Sequence, residues 1–138
     1  MNLHPLAHAS FSIAGDHVSP EFWTRYFGVV PDVAHTKGDP IVDRNGQPRG
    51  IERRTGVWGV RSKSAVQSDR LEPHLRYLIE RLALPRADLP ELLRRGNARM
   101  RFFCYWDNET GDRVPDVPDD IRQMMESLGG VVEIDEYR

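Results

Sequence analysis

Two stretches near opposite ends of the chain follow one plan. "VSPEFWTRYFG" (Val18–Gly28) and "VPDDIRQMMESLGG" (Val117–Gly130) each begin on valine, meet a proline, run through a short amphipathic segment and stop at glycine. Each follows an apolar run and a polar turn. Proline is tolerated in the first turn of a helix, where its missing N–H costs nothing, and glycine readily takes the left-handed conformation that ends one. Strand, turn, proline-started helix, glycine stop and return strand thus appear twice. The pattern predicts two βαβ-like halves sharing one sheet.

The first half opens with "HASFSIAG" (His8–Gly15), which alternates as a strand with Phe11 and Ile13 on one face. Ser19 reads as the N-cap of the helix that follows, and Gly28 as its stop. Residues 32–37 read as extended. "RNGQPRG" reads as an exposed hairpin tip, so residues 40–55 are expected to be a mobile loop. "GVWGVRS" (Gly56–Ser62) reads as a strand with Trp58 and Val60 toward the core.

A helical insert separates the halves. Leu71, Leu75, Leu78, Ile79 and Leu82 form a helical stripe. In "ADLPELLRRGN" Asp88 is placed to cap a second short helix, Glu91 to close a capping box and Gly96 to end it. "RMRFFCYWD" (Arg99–Asp107) is strongly strand-forming. The last helix presents Ile121, Met124, Met125 and Leu128 on one face. "VVEIDEYR" closes the chain as a strand with Val132 and Ile134 facing one way. The expected fold is α+β: a single two-layer domain over residues 1–138 with an arm at 1–7. Its mixed or antiparallel sheet has about five strands, with helices mainly on one face.

The 138 residues suffice for one core without staples. Cys104 is the only cysteine, which excludes an internal disulfide. Within its apolar run it reads as a buried, inert thiol. The first sixteen residues lack a basic n-region and a long apolar stretch, so the expectation is a soluble cytoplasmic protein without a membrane span.

The net charge of −2 is unevenly placed. Residues 41–101 hold 14 Lys and Arg against 7 Asp and Glu, whereas residues 102–138 hold 3 Arg against 10 acids. Blocks of one sign steer partners where they form surface patches. The bland alternative is that the two blocks meet and neutralise each other in space. Basic residues near Trp58 resemble a single-strand nucleic-acid surface, but the acidic final third repels phosphate, so nucleic acid is disfavoured.

For catalysis the residues offer little. "GDHVS" brings Asp16, His17 and Ser19 together, yet triad members converge from separate segments. "HTKGD" (His35–Asp39) reads first as a tight turn, in which Gly38 permits the backbone and Asp39 bonds locally. Glu133 and Asp135 share a strand face. With acids of "DNETGD" (Asp107–Asp112) they compose a conceivable Mg²⁺ or Ca²⁺ site for a metal-dependent enzyme. A solvated face or ion pairs to the basic middle weigh more.

The order of motifs resembles the bacterial domain family DUF4279. Ser19-Pro20-Glu21, Gly28 and Pro31, Lys37-Gly38-Asp39, Trp58, and Asp135 with Tyr137 carry the resemblance, which runs from about residue 8 to the end. It implies a small α+β domain and transfers no catalytic residues.

The sequence therefore favours binding over catalysis, without a cofactor. The expected partner is a protein, in one version a basic toxin domain neutralised by an immunity protein. The acids assigned to that surface are Asp107, Glu109, Asp112, Asp116, Asp119, Asp120, Glu133 and Asp135. The rival is a small-molecule-binding or regulatory domain with Trp23, Trp58 and Trp106 around an apolar pocket. Plain core is the simpler reading of all three.

Overall fold

The structure is a computed structural model and describes residues 4–138. Of the expected arm, residues 1–3 lie outside the described residues. The elements run β1 (Ala7–Gly15), α1 (Pro20–Phe27), β2 (Val33–His35), β3 (Pro40–Val42), β4 (Pro48–Glu52) and β5 (Gly56–Arg61). Then come α2 (Leu71–Leu82), α3 (Leu89–Arg95), β6 (Arg99–Asp107), α4 (Asp119–Ser127) and β7 (Val131–Tyr137). Five strands form a mixed sheet in the order β2-β5-β1-β6-β7, and β3 and β4 form a separate ribbon.

Both halves of the repeat are present, in two different forms. β6 and β7 are adjacent and parallel, joined through α4. β1 and β2 also run parallel, but β5 lies between them, antiparallel to both. The first unit is therefore a split βαβ. β1 sits at the centre of the sheet, antiparallel to β5 and β6.

Side-chain alternation on β1 decides the layering. Ala7, Ala9, Phe11 and Ile13 are buried on one face, while His8, Ser10, Ser12 and Ala14 are half-buried on the other. Helix α2 packs on β1 and β6. Its Leu71, Leu75, Leu78 and Leu82 are fully buried, four side chains worth ~1.5–3 kcal/mol each relative to exposure. The small Ala7 and Ala9 let that helix approach. The supposed insert thus covers the middle of the sheet. Beside it, Phe27 stacks on Trp58 at 5.1 Å, and Phe11 meets Phe27 edge-on at 5.6 Å. The Trp58 indole N–H donates to Thr24 Oγ1 at 3.0 Å, so burying its polar end leaves nothing unpaired.

The helix ends differ from expectation at three places. Ser19 is extended, as an N-cap should be, but its hydroxyl donates to Glu21 Oε2 instead of accepting from the helix. Asp88 makes no cap bond; its carboxylate accepts the Tyr26 hydroxyl at 2.5 Å, and Glu91 pairs with Arg94 and Arg95, so no capping box forms. Gly96 has φ −87°, and the left-handed position falls on Asn97. Gly28 ends α1 with φ 67° as expected.

Within residues 40–55 the chain forms the β3–β4 hairpin. Asp43 closes its tip by accepting the N–H groups of Asn45 and Gln47. Bonds between Gly38, Asp39 and Arg53 join this ribbon to the β2–β5 pair. At its base Gly38 has φ 91°, and Asp39 Oδ2 accepts the Thr36 N–H at 2.8 Å, a local turn. No helix among the described residues is long and apolar enough to cross a membrane.

Candidate functional site

The eight acids assigned to a partner surface do not form one free patch. Asp107 is 7% exposed and accepts an N–H from His4 at 2.6 Å. Asp116 is spent on the start of α2, where its two oxygens accept the N–H groups of Leu71 at 2.6 Å and Glu72 at 3.0 Å. Asp120 holds Arg76 through both carboxylate oxygens, and that ion pair lowers its pKa. Glu133 pairs with Arg101 at 2.9 Å, and Asp135 accepts the Tyr137 hydroxyl at 2.5 Å. Asp112 takes the Thr110 hydroxyl. Glu109, Asp112 and Asp119 remain exposed without an ion pair among the described residues.

The charge blocks therefore meet. Arg70, Arg76 and Arg101 of the basic middle bond Asp116, Asp120 and Glu133 of the acidic third. These pairs are largely solvent-exposed, so each contributes ~0–1 kcal/mol, and together they offset part of the expected asymmetry.

The helices cover one face of the sheet; the other is open. A trough of about 510 Å³ lies along β1 on that open face. Its floor is Ser10, Ser12, Ala14 and Gly59. A Cβ on Gly59 would stand 3.1 Å from the Phe11 carbonyl oxygen, so glycine keeps the floor low. Arg61 on β5 and Arg99 and Arg101 on β6 form the rim, with Val33 and Val57 supplying apolar wall. Arg101 is neutralised by Glu133 and lies 4.8 Å over the Phe103 ring. Arg61 and Arg99 have no ion pair among the described residues. Along the same face His8 stacks on Tyr105 at 4.6 Å. Burial, then Lys63, His74 and Arg61, push the His8 pKa down, so the ring is neutral at pH 7.

This trough was missed in the sequence, although a signal exists. "HASFSIAG" alternates large apolar side chains with small polar ones, and Arg61, Arg99 and Arg101 sit at outward positions of the two flanking strands.

The other candidates fall elsewhere. Trp23, Trp58 and Trp106 are at most 4% exposed within the core, and none lines the trough. A serine–histidine pair not foreseen from sequence joins Ser62 and His74 at 2.7 Å, with both residues buried. Ser62 Oγ also accepts the Ala9 N–H, and His74 Nε2 reaches the Ser68 carbonyl at 2.9 Å. Since that carbonyl only accepts, Nε2 carries a proton and donates to it, which leaves Nδ1 facing the serine hydroxyl. The pair locks β1, β5 and α2 together. Glu133 and Asp135 do not meet acids of the 107–112 loop in a metal-ligating group among the described residues. The group that does gather there is His4, Asp107 and Glu109, with ligand atoms within 4.8 Å of one another. Cys104 is buried, and burial pushes its thiol pKa up to about 12.

No curated protein and no solved structure matches the chain. A domain family does, described as "Domain of unknown function (DUF4279)", over residues 4–138. That match spans the split βαβ unit, the covering helices and the parallel βαβ unit alike, and the chain belongs to the DUF4279 family.

Proposed function

We propose that this protein is a binding domain whose working surface is the open face of its sheet, where it receives an acidic segment of another protein. The observation that carries this reading is the trough along β1, whose rim holds Arg61 and Arg99, two arginines without an ion pair among the described residues. Small floor residues give a backbone room to enter, and the charge of the rim selects the partner. The polarity is opposite to that expected from the acidic third, where Asp116, Asp120 and Glu133 are engaged with the protein's own arginines.

A photo-crosslinking amino acid placed at position 131, at the exposed edge of the trough where it leaves the floor and the arginine rim unchanged, and separately at position 112, tests the proposal in cells of the native host. An adduct formed through position 131 to an acidic stretch of one protein supports the open face. An adduct formed only through position 112 supports a second reading, an immunity-type role in which Glu109, Asp112 and Asp119 cover a basic toxin surface. Those three exposed acids are the observation behind that alternative. Absence of an adduct at both positions sinks both readings.

A further inference from the structure

We infer that the segment received on the open face is extended, lies along β1, and presents two carboxylates four positions apart with a small residue midway. The inference rests on the open-face reading and adds the pattern recognised. In register, Arg61 stands opposite Ser10 and Arg99 opposite Ala14. Four steps along a strand are about 13 Å. The two arginines flank β1 from either side, on strands about 10 Å apart, so a chain lying over β1 is within reach of both guanidinium groups.

An extended chain points residues i, i+2 and i+4 to one side and covers the same 13 Å between the outer two. A helix advances only about 6 Å over four residues and cannot meet both arginines with carboxylates at that spacing. A single small anion reaches one arginine at a time. Midway along the trough stand Ser12 and Gly59, in register with each other and with Arg101. Arg101 is already paired with Glu133, whose charge repels a third acid there. The small floor accommodates a small central side chain, and the Ser10 and Ser12 hydroxyls are placed to bond the segment's backbone. The pattern is acid–x–small–x–acid.

The test titrates the ¹⁵N-labelled full chain at low salt with three peptides, Ac-ETATE-NH₂, Ac-ETAET-NH₂ and Ac-KTATK-NH₂, following amide shifts. The expected result is perturbation of Ser10, Ser12, Gly59 and Arg61, with ETATE binding about threefold or more tighter than ETAET and KTATK not binding. Arg61→Gln and Arg99→Gln each weaken ETATE about threefold, and Ser12→Leu, which fills the trough, abolishes binding. The amide spectrum of each variant reports directly that it is folded. Equal affinity for ETATE and ETAET in the trough overturns the spacing and leaves the open-face reading standing. Shifts confined to other surfaces, or ETATE binding unmoved by Ser12→Leu, overturn both. No binding of any peptide overturns the inference, and the crosslink at position 131 then decides the reading beneath it.

Discussion

Asp116 caps a helix that begins at Leu71, 45 residues earlier in the chain, with a 2.6 Å bond from the Leu71 N–H to one oxygen and a 3.0 Å bond from the Glu72 N–H to the other. A residue that looks like surface charge in the sequence is thus a tertiary clamp between the loop before α4 and the central helix. Asp116→Ala should destabilise the fold by ~1–2 kcal/mol, since it leaves two helix N–H groups unpaired and removes a favourable charge from a helix N-terminus. Asp119→Ala, three residues on and exposed in the first turn of α4, removes only a helix-terminus charge and should cost less than ~1 kcal/mol. Urea unfolding of the two variants side by side checks the contrast; equal losses would refute the capping role.

Ser62 and His74 resemble catalytic partners but serve as an internal fastener. Ser62→Ala should cost ~1–3 kcal/mol, because it strands both the Ala9 N–H and His74 Nδ1 in the interior. Binding at the open face should be unchanged in the same variant at a temperature where it is folded. An active-site serine probe should leave Ser62 unlabelled, in the native protein because it is buried and after denaturation because an unpaired serine hydroxyl is a weak nucleophile. Labelling of the native protein would contradict the burial.

Alkaline pH should loosen the fold. The Cys104 thiol has its pKa pushed to about 12 by burial, and the Tyr26 hydroxyl is held near 12 by partial burial and its bond to Asp88. Both pKa values are raised above the ordinary ones, so between those and about 12 the native state holds more protons than the unfolded chain. Stability is then complete below about pH 9 and declines as pH rises toward 12. Urea midpoints at pH 8 and pH 11 measure the decline, and Cys104→Ala should make it shallower. An unchanged slope in that variant would remove Cys104 from the account.

Arg113 ties three segments with one side chain. Its guanidinium lies 3.9 Å over Trp106 and donates to the carbonyls of Leu6, Asp107 and Asp69. Only a planar fork serves all of these, so Arg113→Lys should lose nearly as much stability as Arg113→Ala, about 2 kcal/mol. Thermal melts compare the two; a lysine variant as stable as the parent would show that charge alone suffices.

What could be read from the sequence was what neighbours in sequence determine. The leucine stripe of α2, the alternation of β1 and the limits of β6 are local periodicities, and the structure has them. The insertion of β5 between β1 and β2 is a long-range pairing that no local pattern encodes. Ser19 and Asp88 are good capping types, yet each found a competing partner, Glu21 and the Tyr26 hydroxyl. The pairing within the acidic third was hidden for a related reason: Asp116, Asp120 and Glu133 bond arginines 32 to 46 residues away, which composition alone does not disclose. The open face was legible in principle, since Ser10 and Ser12 alternate with Phe11 and Ile13, but small polar residues between large apolar ones mark an ordinary solvated strand face as readily as a trough floor.

Strand β7 is a seven-residue edge with Val131, Ile134 and Tyr137 exposed, the kind of border that recruits further strands. Its acids prevent that. If two copies of β7 paired antiparallel about Ile134, each Glu133 would lie opposite an Asp135, and like charges directly across a ladder repel. At the other border β2 offers only three residues. Acids at one margin and a three-residue strand at the other both disfavour growth into fibres, so the protein should remain monodisperse at concentrations where a neutral edge of the same length would gel.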